Sequence, residues 1–327
     1  MTLTADLLVV VAFAFAFSIG AHYTGACMGM PYAAGAIRPW HALLLMAPLA
    51  LAGAAFASGH VEATVGHGIL GGGTIVLGVA FAIVVSALAL TSIYNLVTVP
   101  TSTIQILVFA TVGAGLAAGL PIQWGTIGSL VVLWAVAPFG AFALGFLFVR
   151  VADWYRPPLP SRDTAARQPG LGRNVVLGLV GVGAAASFAM GANDVSNASG
   201  ALIMTGLFGL FVAGIVGGLG IALGVLTWGR PLLQRVAFDL VELDPRMATA
   251  SQLAQSTVIL VSVAFGLFTS MNQALVGAMI GAGIARHRST VLWKPIRSIL
   301  LGWTAGPVSG AALGFGLVWL FTRVHLL

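Results

Sequence analysis

Apolar stretches of bilayer-crossing length recur along this chain: Trp40–Ser58, Thr74–Leu96, Thr126–Val149 and Ile299–Phe321. A helix needs about 20 mostly apolar residues to span the hydrocarbon core. Charged residues make up only 7% of the sequence and hydrophobic ones 59%. A soluble domain draws on about a quarter of its residues for charge, so this chain cannot cover a water-facing surface. It reads as an all-α integral membrane protein. The apolar run Leu7–Phe17 imitates a secretion signal, but no basic residue precedes it, and it is expected to stay in the mature chain. The single cysteine, Cys27, excludes an intrachain disulfide and has no metal-ligand partner at a useful spacing.

The chain repeats itself. Gly20-Ala21 matches Gly191-Ala192, and Gly29, Gly35 and Gly53 match Gly200, Gly206 and Gly224 in the same register. Further on, Thr101-Ser102 matches Thr269-Ser270, Gln105 matches Gln273, and Trp124, Trp134 and Pro138 match Trp293, Trp303 and Pro307. This divides the chain into a first repeat at 1–151, a polar linker at 152–173 with Pro157, Pro158 and Pro160, and a second repeat at 174–327. Each repeat holds about five apolar elements: 6–37, 40–58, 74–97, 100–119 and 124–150, then 174–205, 209–227, 250–267, 269–285 and 298–322. An odd number of crossings per repeat makes the two copies inverted.

The formal charge of +6 tests that arrangement. With the N-terminus outside, the loops at Arg38, 150–173, 228–247 and 286–297 fall inside and hold every basic residue except Arg323, 13 of 14. The outer loops near 59–73, 119–125 and 206–208 hold none. Basic residues concentrate on the cytoplasmic side of membrane proteins, so topology rather than nucleic acid accounts for the charge. Both termini are then expected outside. His60, Glu62 and His67 have a spacing that suggests a metal, but a solvated outer loop is the stronger expectation. Asp239, Glu242 and Asp244 read as surface charge beside Arg235 and Arg246.

Polar, glycine-rich interruptions come in two matched pairs. Inverted repeats with broken helices place substrate near the midplane, where the repeats meet. The first pair is Gly20-Ala21-His22-Tyr23-Thr24-Gly25 and Gly191-Ala192-Asn193-Asp194-Val195-Ser196-Asn197. Asp194 is the carboxylate deep in an apolar stretch. A charge there costs several kcal/mol, about 2.5–3.5 on insertion scales, and marks function by default, with a helix cap or a structural hydrogen bond as the alternative. His22 could accept a proton or simply hydrogen-bond within the bundle. The second pair is Pro100-Thr101-Ser102-Thr103 and Phe268-Thr269-Ser270-Met271-Asn272. Each opens a helix, and a hydroxyl-rich helix N-terminus offers unpaired N–H groups to an anion. Two such termini could hold a tetrahedral oxyanion without a buried Arg or Lys.

The Gly191–Ala198 segment resembles the signature of the inorganic phosphate transporter (PiT) family, and the resemblance spans nearly the whole chain. It implies inverted repeats, re-entrant hairpins carrying the Ser/Thr triplets, and cation-coupled anion uptake, with Asn193 and Asp194 at the substrate and coupling-ion sites. The first half departs from that pattern, since His22-Tyr23 stands where the family has Asn-Asp. That stretch is similar to the bacterial sulfate permease (CysP-type) branch. Phosphate near neutral pH still carries a proton that a carboxylate can accept in a hydrogen bond. Sulfate has none, so loss of one acid tilts the site toward sulfate.

The expected function is therefore a cation-coupled symporter of a tetrahedral inorganic oxyanion, sulfate ahead of phosphate, with an anion channel as a weaker alternative. The expected substrate contacts are Thr24, Thr101, Ser102, Thr103, Asn193, Ser196, Asn197, Thr269, Ser270 and Asn272. Asp194 and His22 are expected to carry the coupling cation, H+ or else Na+. No nucleophile–base pair, metal cluster or cofactor fingerprint points to an enzyme. Its expected partners are the anion and the lipid bilayer of the cell's inner (plasma) membrane, and a homodimer is open to it.

Overall fold

The computed structural model describes residues 3–71, 73–97, 101–155, 171–236, 244–286 and 293–324, with the backbone alone at 235–236 and 293–302. In chain order the helices are α1 (Leu3–His22), α2 (Thr24–Ala33), α3 (Pro39–Phe56), α4 (Gly59–His67), α5 (Leu77–Val97), α6 (Thr103–Ala117) and α7 (Trp124–Tyr155). They continue as α8 (Arg173–Asp194), α9 (Ser196–Met204), α10 (Leu210–Val236), α11 (Pro245–Ala264), α12 (Met271–Arg286) and α13 (Trp293–Arg323). Among the described residues there is no strand, only one isolated bridge between Leu70 and Ile122. Among the described residues, eight helical segments are long and apolar enough to cross a membrane. In hydrocarbon every backbone polar group must be satisfied within its own segment, and helices do this. The chain is an all-α integral membrane protein.

Several expected boundaries move. The region 59–73 is not a plain solvated loop, because residues 59–67 form α4 and its Glu62 is only 1% exposed. Helix α11 begins at Pro245 rather than 250. Asp244 caps it, accepting from the backbone N–H groups of Arg246 (2.8 Å) and Met247 (3.0 Å), and proline suits the first helical position. Asp244 also pairs with Arg286 at 3.1 Å, so it is more than surface charge. Helix α10 runs on past 227 to Val236. Most of the linker, and with it Pro157, Pro158 and Pro160, lies outside the described residues, as do Pro100, Asp239 and Glu242.

Two long spans are interrupted at matching places. The α1/α2 span breaks at Tyr23 and the α8/α9 span at Val195. Two further helix pairs fold back on themselves. The segment before α5 meets the segment after α6, with Gly71 N–H on the Pro121 carbonyl (2.8 Å) and Gln123 N–H on the Ile69 carbonyl (2.9 Å). Likewise Arg286, ending α12, pairs with Asp244, which starts α11. Helix α7 begins beside the first hairpin base at Trp124 and ends beside the second, where Asp153 meets Arg286 and Arg246. Its 32 residues make it about 48 Å long at 1.5 Å per residue. The two bases thus lie a bilayer's thickness apart, and the hairpin tips meet between them.

Glycines weld the halves together in matched contacts. A Cβ on Gly53 of α3 would collide with the Phe188 carbonyl oxygen of α8, and one on Gly224 of α10 would collide with that of Phe17 in α1. Gly20 approaches the Ile221 carbonyl, and Gly191 that of Ala50, equally closely. Gly113 of α6 meets Ala311 of α13, while Gly281 of α12 meets Phe142 of α7. In each case a helix of one half lies backbone-to-backbone on a helix of the other, as small residues allow in membranes.

Candidate functional site

The two interrupted spans and the two hairpin tips converge, and the residues at the breaks hold the tips. In the second half the Asn193 side chain pairs with the backbone of Thr269 in both directions. Its Nδ2 donates to the Thr269 carbonyl (2.8 Å) and its Oδ1 accepts from the Thr269 N–H (3.1 Å). In the first half His22 occupies the matching position, and its Nε2 lies 3.3 Å from the carbonyl of Thr101, the match of Thr269. Its Nδ1 is held by Asn95 of α5. Asn95 in turn donates to the Ser18 carbonyl at 3.1 Å. Asn272 crosses between halves, donating to the Thr101 carbonyl at 2.8 Å and lying 3.2 Å from His22 Nε2.

Asp194 is fully buried, and its carboxylate is ringed by donors. Asn193 Nδ2 donates to one oxygen (3.0 Å) and Asn197 Nδ2 reaches the other at 3.4 Å. The Tyr23 hydroxyl also reaches the carboxylate. Tyr23 and Asn197 both contact Thr103 Oγ1, at 2.8 and 3.2 Å. One network therefore joins Tyr23, Thr103, Asn197 and Asp194 across the two halves.

The serines of the triplets have structural work. Ser102 Oγ accepts from the Gln105 N–H (3.3 Å) and caps α6, and Ser270 Oγ accepts from the Gln273 N–H (3.4 Å) at the start of α12. Behind them Gln105 and Gln273 hydrogen-bond reciprocally through their amides, at 3.3 and 3.2 Å. The threonines differ. Thr101 Oγ1 and Thr269 Oγ1 are buried with no hydrogen-bond partner, and so is Asn197 Oδ1. A buried polar atom left unpaired costs about 1–3 kcal/mol. The matched threonine position is unpaired in both halves.

Not every expected residue joins the cluster. The Thr24 hydroxyl donates to the Gly229 carbonyl of α10 (2.8 Å) and to Ala21 (3.0 Å), and Ser196 donates back to the Asn193 carbonyl (3.0 Å). Asn95 escaped the sequence reading, and Gln105 and Gln273 entered it only as a repeat match. A lone asparagine in the apolar run of α5, and a glutamine matched at one register in both halves, were the available signals. Trp134 is buried and donates to the Phe268 carbonyl at 3.0 Å, which seats the second hairpin tip. Among the described residues no group of three or more His, Cys, Asp or Glu side chains could hold a metal ion.

Comparison with known proteins gives the family and the overall fold. The model of the phosphate transporter family matches residues 19–314. The chain is 28% identical to a sulfate permease, CysP, of Bacillus subtilis, over 94% of this chain and 86% of that relative. It is also 28% identical to a probable low-affinity inorganic phosphate transporter of Mycobacterium bovis, over 96% of this chain and 81% of that one. The solved structure of a sodium-dependent phosphate transporter superposes with a TM-score of 0.87 at 20% identity, covering 99% of this chain and all of the other.

Proposed function

The chain belongs to the phosphate transporter family, a family of transporters rather than enzymes, and from that premise we propose that it is a cation-coupled symporter of a tetrahedral oxyanion, sulfate before phosphate. The observation that carries this reading is the matched pair of unpartnered, fully buried hydroxyls, Thr101 Oγ1 and Thr269 Oγ1. They precede the first turns of α6 and α12, whose free N–H groups favour an anion. Thr103, Asn197 and Asn272 complete the polar wall, with Ser102 and Ser270 fixing the two helix starts. Thr24 and Ser196 contribute by holding the breaks in shape.

Sulfate is favoured by the state of the one acid. Tyr23 replaces the acid of the first half, and Asp194 faces three protein donors. A carboxylate so occupied does not stand free to accept a hydrogen bond from phosphate. The Bacillus relative's description as a sulfate permease accords with this, while the mycobacterial description favours phosphate as the second reading. Proton coupling through Asp194, with His22, suits a site that has one acid where a sodium ion needs several oxygen ligands. Sodium coupling is the alternative that the solved sodium-dependent relative supports.

The architecture that supports this reading is two inverted repeats, 1–151 and 174–327, with α5–α6 and α11–α12 as re-entrant hairpins. The matched glycine contacts and the meeting of the tips support it. The distribution of basic residues supports a topology with both termini outside the inner (plasma) membrane. Uptake into proteoliposomes, with labelled sulfate and phosphate in competition and with sodium or proton gradients imposed separately, tests the reading. Sulfate accumulation driven by the proton gradient is expected. Accumulation that follows sodium and ignores protons refutes the coupling, and passive equilibration without accumulation would indicate a channel.

A further inference from the structure

The anion site leaves a second buried carboxylate unused. Glu62 lies on α4, outside the membrane-spanning segments, and is only 1% exposed. It contacts two serines: Ser58 Oγ lies 3.1 Å from Oε2, and Ser199 Oγ of α9 lies 2.5 Å from Oε1. Gly214 of α10 covers it so closely that a Cβ there would meet both oxygens at 3.4 Å. The same serines also face backbone carbonyls, Ser58 that of Ala54 (2.5 Å) and Ser199 that of Val195 (3.0 Å). Two hydroxyl protons thus face four acceptor oxygens, since each serine has one proton to donate. A third proton, on Glu62 itself, reduces the shortfall from two contacts to one and removes the buried charge. Glu62 then donates to Ser199 Oγ, and both serines keep their carbonyls.

Helix α4 also reaches the second hairpin. Thr64 Oγ1 donates to the carbonyl of Gly266 at 2.7 Å, and Gly266 has φ +69°, the left-handed turn that presents this carbonyl. The α4 face toward α9 is interlocked, with Val65 against Gly200 and Ile203 against Gly66. Thus α4 bridges the helix that starts beside Asp194 and the tip of the hairpin that carries Thr269. Ser199 is five residues beyond Asp194, about 7–8 Å along a helix.

We propose that Glu62, with Ser58 and Ser199, is a proton-binding site that latches α4 over the outer end of the transport path. This rests on the proposed transport function and orientation. Protonated, the site carries no charge and α4 stays closed. Ionised, it buries a charge with too few donors, and lifting α4 into water relieves it. Burial raises the Glu62 carboxyl from its usual value to about 7, the two serine contacts working the other way. A raised carboxyl favours the closed form below that pH, and this support fades as pH rises through about 7. Among the described residues of α4, α9, α10 and α11, no other titratable group faces it. His60 and His67 of α4 are exposed, α9 has none, and Arg230 of α10 and Arg246 of α11 lie toward the opposite ends of their helices. Asp194 is the nearest acid along the chain of contacts. An outer gate that shuts on a proton ties closure to the outside pH, while the coupled proton itself remains assigned to Asp194 with His22.

Val65→Cys in a Cys27→Ala background reports the latch without requiring transport. Taken relative to the reagent's rate with a free thiol at the same pH, because the thiolate is the reacting species, labelling by a membrane-impermeant maleimide added outside should be at least about tenfold faster at pH 8.5 than at pH 5.5, as a group passing from mostly protonated to mostly ionised dictates. Glu62→Gln should label slowly at both, and Ser199→Ala, which removes a donor to the carboxylate, should move the midpoint to higher pH. Labelling indifferent to pH, or an unchanged pH response in Glu62→Gln, overturns the latch. Sulfate and phosphate uptake measured on the same liposomes separates the two ideas. Absent uptake with a pH-responsive Val65→Cys would defeat the transport reading alone, while normal uptake with indifferent labelling would defeat the latch alone.

Discussion

The two halves solve one problem with different chemistry. His22 and Asn193 occupy matching breaks, and each holds the carbonyl of the matching threonine, Thr101 or Thr269. One residue further on they diverge. Asp194 brings a buried negative charge, whereas Tyr23 brings a neutral hydroxyl that reaches across to Thr103 and to Asp194 itself. The task of fixing a hairpin tip is kept in both halves, and the task of carrying charge is kept in one. Geometry and charge at such a site are therefore separable, since an imidazole can replace an amide as a clamp while a phenol cannot replace a carboxylate as a cation partner.

The sharpest way to break the comparison is to remove the remaining charge. Asp194→Asn should reduce coupled uptake to the level of empty liposomes while the protein still folds, because an amide retains the shape of the side chain and one of its two acceptor oxygens. Normal accumulation would assign the cation elsewhere. The next test asks where the halves should behave alike. Gly53→Ala and Gly224→Ala each drive a methyl into a backbone carbonyl, and overpacking of this kind costs about 1–3 kcal/mol. Thermal unfolding in detergent should show similar losses for both, and a large loss from one alone would contradict the matched packing. Tyr23→Phe then probes the divergence. It removes a donor to a charged group, worth about 1.5–3 kcal/mol, and should weaken sulfate binding by about tenfold or more as measured by calorimetry. The smallest effect is expected from Thr101→Val and Thr269→Val. These hydroxyls have no protein partner, so stability should stay within about 0.5 kcal/mol while anion binding falls several-fold in both. A loss of stability without a loss of binding would make them structural.

Much of this was legible in the sequence because it was written twice. The matched Gly-Ala pairs and Thr-Ser pairs located both breaks and both hairpin tips, and the charge asymmetry suggested the orientation. What stayed hidden depended on contacts between distant segments. Ser102 and Ser270 looked like anion ligands, yet their side chains cap their own helices and leave the flanking threonines free. Glu62, between two exposed histidines, had the pattern of a wet loop. Only α9 and α10, which lie more than a hundred residues away in sequence, bury it. Asn95 had no counterpart in the other half to draw attention to it, and its role follows from the histidine that replaced an asparagine at position 22.

The backbone-to-backbone glycine contacts have a consequence for biogenesis. Helix α3 packs on α8, α1 on α10, α6 on α13 and α7 on α12, so the early helices find their partners only after the later ones are made. The first half must wait in the membrane, inserted but unassembled, until translation nears the last helix. Such long sequence separations slow assembly. Either half expressed alone should be a substrate for quality-control proteolysis, and the two expressed together should rescue each other.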